Sequence, residues 1–422
     1  MNILYDIIFF FFVLFYFPIL LVKGKWHAGM WSRFGFLSEL RLPEDVKTVW
    51  VHAVSVGEVQ AVSGLIRLIK EQYPEVPLVM TTVTPTGNGL ARKLFPDDIV
   101  LYAPLDFSFS VRRYLKNIRP AVYIAAETEI WPNLFTALFR RRIPVAIVNG
   151  RISDKSLPRY KRVRPLIRGI LSRVDCFAMQ SESDRRRVIG LGARPDYAYC
   201  AGNMKFDMDG LDGEYIPAAP FSQEGPVWVA GSTHPGEEEV AADIYQRIKP
   251  EFPALKFILA PRHIERADQV ADLLSRRGMR FIRLSQCLQR PVGEDVLLVD
   301  TIGHLRRLYA WADVVFVGKS LTGSGGQNMI EPAAYARPVI VGPHTENFRA
   351  SMDLLEKAGG ILRVQSSREL EQALRSLLAD PHQARELGRR AREAVNAQKG
   401  ATRRTLQHLY PILTRCVFRT QR

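Results

Sequence analysis

Cysteine is scarce, and what there is does not cluster. Cys176, Cys200, Cys287 and Cys416 are spread along the chain with no CxxC pair and no Cys/His group. This excludes a zinc module and a disulfide framework and fits a reducing, cytosolic setting. No GxGxxG follows the first predicted strand and no GxxxxGK[ST] occurs, so dinucleotide and Walker-type nucleotide binding are not indicated. No GxSxG elbow is present, and Cys176 falls inside a predicted strand, which leaves no nucleophile constellation. Acidic residues are in deficit, 43 against 58 Lys and Arg, for a net charge of +15. An excess of that size points to an acidic partner such as nucleic acid, phospholipid or a phosphorylated substrate. No RNA- or DNA-binding module is recognisable, so nucleic acid is not expected as a partner. With 422 residues, 47% apolar and 24% charged, disorder and collagen-like repeats are excluded, and at roughly 150 residues per domain there is room for two to three domains.

Only one long hydrophobic run is present. Ile7 to Val22 is 16 apolar residues without interruption, and Ile3 to Tyr5 extends it beyond Asp6 towards the ~20 that cross a bilayer core. A secretory signal would carry positive charge before the run and a cleavage site after it. Here Lys23, Lys25, His27 and Arg33 follow the run and nothing basic precedes it. The expectation is an uncleaved anchor, residues 1–22, with the rest of the chain on the cytoplasmic side. A buried core helix is the alternative, but six Phe in eleven residues with no polar stripe would need burial on every side.

From Thr48 onward short β-branched runs alternate with punctuation and amphipathic stretches, the pattern of βαβ units around parallel sheets. Strands are predicted at Thr48–Ala53, Val76–Thr82, Ile99–Tyr102, Ala121–Ala126, Val145–Val148 and Cys176–Gln180. A Gly/Pro/acid-rich stretch at 210–224 reads as a linker. Beyond it strands are predicted at Val227–Ala230, Phe257–Ala260, Phe281–Leu284, Val296–Val299, Val314–Val317 and Val339–Val341. The fold class is α/β: two open Rossmann-like domains, 23–209 and 225–422, with a cleft between them. Ligands of such sheets bind beyond the carboxyl ends of the strands, so the residues after each strand are the ones to read.

Glu58 ends the turn after the first strand and opens a helix. A glutamate there is commonly a cap that complements the helix dipole; facing a cleft, it is also a candidate base. Glu127 and Glu129 follow the fourth strand, where two carboxylates two residues apart on an extended chain point the same way and cost energy unless something cationic shares them. From Arg140 to Arg173 eleven Lys and Arg stand against one acid, Asp154. Such a run is usually a solvated face, but interleaved with Pro158, Tyr160, Pro165 and Leu166 it suits anionic headgroups or a phosphate-bearing acceptor. In the second domain Pro261-Arg262-His263 follows a strand and places an arginine where a phosphate or carboxylate could be held. The stretch Lys319 to Asn328 (KSLTGSGGQN) runs into a helix holding Glu331, where bare amides and a helix dipole could meet a phosphate.

The whole chain resembles the Kdo (3-deoxy-D-manno-octulosonic acid) transferases of lipopolysaccharide and lipid A biosynthesis. The motifs that carry the likeness are Arg33-Phe34-Gly35, HAVSVGE at His52 to Glu58, ETEIWPN at Glu127 to Asn133, AGNMKFD at Ala201 to Asp207, PRH at Pro261 to His263 and GGQNMIEP at Gly325 to Pro332. The resemblance implies a GT-B glycosyltransferase fold. The first domain would bind the acceptor, the lipid A precursor (lipid IVA, a tetraacylated disaccharide bisphosphate), and the second the donor CMP-Kdo. It implies inversion at the transferred carbon, no cofactor and no metal, at the cytoplasmic side of the bacterial inner membrane. Residue by residue, Glu58 corresponds to the general base and Glu127 and Lys205 to transition-state-supporting residues, Lys205 offsetting charge on CMP or on the Kdo carboxylate. Pro261, Arg262, Ile302, Gly303, His304, Asn328, Met329, Ile330 and Glu331 correspond to donor-binding positions, with Asn328 on phosphate and Glu331 on ribose. The chain departs from the family at Lys319, where Gly is common, and at Gln327, where His is common. Another nucleotide-sugar-dependent GT-B transferase acting on a membrane lipid is the alternative, disfavoured by the first-domain motifs. A membrane-anchored lipid-binding scaffold is disfavoured by intact Glu58, Arg262 and Glu331. Every residue assigned a chemical role lies beyond Thr48, so removal of Met1 to Val22 is expected to leave activity on dispersed acceptor.

Overall fold

The structure is a computed structural model that describes residues 5–11, 13–14, 29–37, 40, 42–43, 46–154, 156–207, 220–287 and 292–418. The chain divides into two compact units, Met1–Asp207 with Lys399–Arg422, and Met208–Gln398.

The first unit is built on a seven-stranded sheet in the order β3-β2-β1-β4-β5-β6-β7. Its strands are β1 Thr48–His52, β2 Leu78–Thr82, β3 Ile99–Tyr102, β4 Pro120–Ala126, β5 Val145–Gly150, β6 Cys176–Met179 and β7 Ala198–Cys200. All pairings are parallel. A parallel sheet covered by helices on both faces buries both sides of each strand, so these strands read as continuous apolar runs rather than alternating ones. In β1, for example, Trp50 packs into one layer with Tyr114, Tyr123 and Phe135, while Val49 and Val51 pack into the other with Val62, Leu65 and Ile66. The Val56–Gln72 helix supplies that second layer from Val59, Val62, Leu65, Ile66 and Ile69, one stripe at helical spacing.

The second unit repeats the plan in the order β10-β11-β9-β8-β12-β13-β14. Its strands are β8 Val227–Thr233, β9 Lys256–Pro261, β10 Phe281–Arg283, β11 Val296–Leu298, β12 Val314–Val317, β13 Val339–Val341 and β14 Ile361–Arg363. They too pair in parallel. All twelve strands expected from the sequence are present, with ends shifted by up to three residues. The two that were not expected, β7 and β14, are three-residue edge strands, too short to show a pattern.

Three expectations about organisation need comment. The linker at 210–224 lies largely outside the described residues, as does most of the apolar run at 7–22. No helix among the described residues is long and apolar enough to cross a membrane. Residues 5–11 are helical and are docked on the first unit: Asp6 Oδ1 accepts from the Ser108 amide at 3.0 Å and from Asn133 Nδ2 at 2.7 Å. Phe9 meets the Phe107 ring edge-on at 4.9 Å. Residues 399–422, taken from the sequence as part of the second domain, belong to the first unit. Asp207 accepts from the Gly400 and Thr402 amides at 2.6 and 2.5 Å, capping the Ala401–Phe418 helix. Leu409 and Leu413 are fully buried in the Val49 layer, each contributing about 2 kcal/mol by transfer from water. Chain order carries no sign of this return; only the apolar stripe Ala401, Leu409, Leu413 hints at it.

Candidate active site

Each sheet has a point where two central neighbouring strands connect onward in opposite directions. In the first it lies between β1 and β4, in the second between β8 and β12. Loops leaving neighbouring strands there diverge to opposite faces and open a crevice at the carboxyl ends. Each candidate cluster is at such a point.

In the first unit β1 delivers Glu58 and β4 delivers Glu127 and Glu129. Glu58 is only 8% exposed. Its Oε2 accepts from the Val54 amide at 2.7 Å and its Oε1 from Ser55 Oγ at 3.2 Å, so the carboxyl is fixed across its own turn. Burial pushes its pKa up to about 7; the Val54 hydrogen bond opposes this, and the charges of Glu127 and Glu129 reinforce it. The helix-start position would on its own favour the carboxylate, but desolvation and two like charges outweigh it. A carboxyl poised near neutrality is suited to taking a proton in a transition state.

Glu127 is not on extended chain as the sequence suggested. It has φ 56, a left-handed turn made directly after β4 while its amide still bonds to Val148 O at 2.8 Å. Lys205 Nζ donates to Glu127 Oε1 at 2.8 Å, with the two side chains 44% and 29% exposed. A half-solvated pair of this kind adds at most about 1 kcal/mol to stability; what it fixes is position. Lys205 comes from the one-turn 3-10 helix Met204–Phe206. Asn149 Oδ1 accepts from the Met204 amide and Asn203 Oδ1 from the Lys205 amide, each at 3.0 Å. The cation at the acidic tip is therefore Lys205, held by Glu127. Glu129 has its pKa raised by burial and then by Glu127.

Sequence reading missed the support behind this tip. Asp106 accepts from the Asn133 and Leu134 amides at 3.0 and 2.9 Å, capping the Pro132–Arg140 helix, and burial pushes its pKa up to about 6. His52, at the end of β1, contacts Thr81 Oγ1 through Nδ1 at 3.0 Å, and burial holds its pKa down near 4, so the imidazole is neutral. In the basic run every described Lys and Arg from Arg140 to Arg173 is exposed, and Arg159, Lys161, Arg162, Arg164 and Arg168 are carried by two short helices, Leu157–Arg162 and Arg164–Leu171.

In the second unit the ends of β8, β9 and β12 adjoin: Thr233 pairs with Pro261 and Val317 with Gly231. Glu331 lies where the charges of Arg306 and Arg262 both reach it. Burial raises its pKa, and those two cations and the Asn328 hydrogen bond oppose the rise. Arg262, Asn328 and Glu331 are thus brought together, with Arg306, which the sequence did not single out. Pro261, Met329 and Ile330 are buried in the core, Ile302 is 70% exposed, Gly303 takes φ 90, and His304 precedes the Leu305–Leu308 helix.

The Gly-rich stretch is organised differently from the phosphate cradle expected of it. Glu237, fully buried, places its carboxylate against the amides of Lys319 (2.6 Å), Ser320 (3.0 Å), Leu321 (2.9 Å) and His234 (3.0 Å). Successive amides in such a turn form an anion-binding concavity, and here the anion is the protein's own. Gly325 N bonds to Glu346 Oε2 at 2.7 Å and Gly326 N to Lys319 O at 3.0 Å. The following helix, Ile330–Ala334, has five residues, too few for a strong dipole. Asn328 Oδ1 accepts from the Ile330 amide at 3.1 Å and Nδ2 donates to Glu331 Oε1 at 3.1 Å, so this side chain braces the helix start. Glu237 escaped notice because Glu237 to Glu239 reads as an ordinary acidic first turn. Lys319 has φ 57, a conformation that costs an L-residue about 1–2 kcal/mol.

A family model described as 3-deoxy-D-manno-octulosonic-acid transferase (kdotransferase) matches residues 28–208. The 3-deoxy-D-manno-octulosonic acid transferase of Haemophilus influenzae is 35% identical over 413 residues, 96% of this chain and 96% of that protein. Its counterpart from Bordetella pertussis is 34% identical over 400 residues, 92% of each. Among solved structures, the UDP-GlcNAc 2-epimerase of Neisseria meningitidis is similar in fold, with a TM-score of 0.57 at 14% identity, covering 87% of this chain and all of that one. Two seven-stranded parallel sheets, a carboxyl held near neutrality at the first switch point and a full-length likeness converge on one conclusion: the chain belongs to the 3-deoxy-D-manno-octulosonic acid transferases and is a glycosyltransferase.

Proposed function

We propose that this enzyme transfers Kdo from CMP-Kdo to the lipid A precursor by single displacement with inversion, on a GT-B scaffold. The first unit takes the acceptor and the second the donor. An acceptor hydroxyl oxygen attacks the anomeric carbon of Kdo; the bond from that carbon to the CMP phosphate oxygen breaks, and CMP leaves with the bonding pair. The hydroxyl proton passes to Glu58. The observation that carries the reading is the Glu58 carboxyl itself, nearly buried and raised to about 7 by its surroundings, as a base working near neutral pH should be. Lys205, tethered by Glu127, supplies positive charge where negative charge develops. Arg262 and Arg306 hold the nucleotide's phosphate, and Glu331 accepts from ribose hydroxyls.

The membrane side of the reading rests on the sequence and on the surface it leads to. Ile7, Ile8, Phe10, Phe11 and Leu14 are each about half exposed on the docked N-terminal helix, and the basic run is solvent-facing. Apolar side chains flanked by Lys and Arg suit the cytoplasmic face of an anionic bilayer, and through them the enzyme would be held at the inner membrane. Incubating the enzyme with CMP-Kdo and lipid A precursor and weighing the lipid product by mass spectrometry tests the function. The expected result is a lipid heavier by whole Kdo units; an unmodified lipid in the presence of folded enzyme contradicts it.

A further inference from the structure

Lys319 stands two residues beyond the end of β12 in the left-handed region, φ 57, where glycine is at ease and a lysine is not. Strain kept at a site calls for something the side chain supplies. What this one supplies is a cation: no ion pair of Lys319 is formed among the described residues, although its side chain lies against Gly323, whose Cβ would meet Lys319 Cγ at 3.3 Å. The other lysine considered for an incoming anion, Lys205, is already joined to Glu127 at 2.8 Å.

The strain is enforced by one carboxylate. Glu237 Oε2 accepts from both the Lys319 amide at 2.6 Å and the His234 amide at 3.0 Å, while Oε1 takes the Ser320 and Leu321 amides at 3.0 and 2.9 Å. A single buried oxygen therefore ties together the backbones that leave β8 and β12 and sets Lys319 beside His234, whose pKa burial lowers and the Lys319 charge lowers further. The His234 ring in turn meets the His263 ring edge-on at 5.5 Å, next to Arg262. With the amides of Lys319, Ser320, Leu321, Gly325 and Gly326 already occupied, an anion arriving beside them is left to side chains.

We propose that Lys319 is a specificity-determining contact for the carboxylate of the donor sugar, and that Glu237 is the positioning residue that holds it there. This rests on the reading that the second unit binds CMP-Kdo, a donor with two anionic groups, the phosphodiester and the sugar carboxylate. Arg262 and Arg306, gathered at Glu331, are left to the first; Lys319 takes the second.

Lys319→Gly removes the cation and relaxes the backbone, so it should fold at least as well as the natural enzyme by thermal unfolding. It should raise the KM for CMP-Kdo about tenfold, the loss of one charge-assisted hydrogen bond, with kcat at saturating donor little changed. The inhibition constant of CMP, which has no carboxylate, should stay within about twofold. Lys319→Arg should recover most of the donor affinity. Glu237→Gln should lower donor affinity in the same sense, because it sets an amide N–H₂ against backbone donors, and should lower kcat little. An unchanged KM for CMP-Kdo in Lys319→Gly overturns the proposal, and an equal loss of CMP and CMP-Kdo affinity overturns the assignment to the carboxylate. A natural enzyme that turns over no CMP-Kdo overturns the function reading and this inference with it, whereas a natural enzyme that does so beside an unaffected Lys319→Gly variant overturns the inference alone.

Discussion

The carboxylate of Asp6 accepts a hydrogen bond from the side-chain amide of Asn133 at 2.7 Å, across 127 residues of sequence. Asn133 closes the same segment that carries Glu127 and Glu129, and its other side-chain bond goes to Asp106 O at 2.7 Å. The N-terminal helix is thus built into the wall of the first unit's acidic tip.

Removing Met1 to Val22 therefore also takes away the acceptor of the Ser108 amide and the Asn133 side chain. Asp6→Leu, which leaves the apolar run in place, should lower the midpoint of thermal unfolding by an amount corresponding to about 1–3 kcal/mol, because the Ser108 and Asn133 donors lose their partner. It should also raise the acceptor KM. Asp6→Asn, which keeps an acceptor oxygen, should lose less. Scanning calorimetry and acceptor titration together check this.

The charge of Glu127 helps hold the Glu58 proton on. Glu127→Gln should therefore let Glu58 ionise at lower pH, and the acidic limb of the kcat profile should move to lower pH. Lys205→Met exposes the full Glu127 charge and should move that limb the other way. Rates measured across pH 5 to 9 decide between these directions.

The same raised pKa has a stability cost. Unfolded, Glu58 would titrate near 4.5, against about 7 in the fold, so between these values the folded state binds more protons and stability falls as pH rises. The loss is complete above pH 7 and is on the order of 2–3 kcal/mol for so buried a carboxyl. Glu58→Gln keeps the acceptor for the Val54 amide but cannot ionise. It should unfold at higher temperature than the natural enzyme at pH 8, with the difference vanishing towards pH 4.5.

How far the chain could be read from its sequence follows from where the deciding contacts lie. Glu58, Glu127 and Arg262 sit directly beyond strands whose apolar runs mark their ends clearly, whereas Lys205 follows the unexpected β7 and Glu331 lies in the Ile330–Ala334 helix, and both were found through their motifs. The switch points could not be located, since strand order depends on pairing between distant segments. Glu127 was read as extended because its left-handed turn is made by a residue type that rarely adopts one. Glu237 and Asp106 were missed for a common reason: each is an acid whose partners are backbone amides of another loop, and no spacing records such a pairing. The phosphate cradle expected at Lys319 to Asn328 was a fair reading of glycines before a helix, but an internal carboxylate occupies its first three amides. The return of the last helix to the first unit through Asp207 is of the same kind.

The central claim is that Glu58 takes the proton of the attacking hydroxyl, and the rate of Glu58→Gln at saturating CMP-Kdo and lipid acceptor tests it most directly. The substitution keeps the size of the side chain and an oxygen for the Val54 amide while removing the basic lone pair. The account predicts that kcat falls by ~10²-fold or more while CMP binds as before. A Glu58→Gln enzyme turning over at near the natural rate would contradict it.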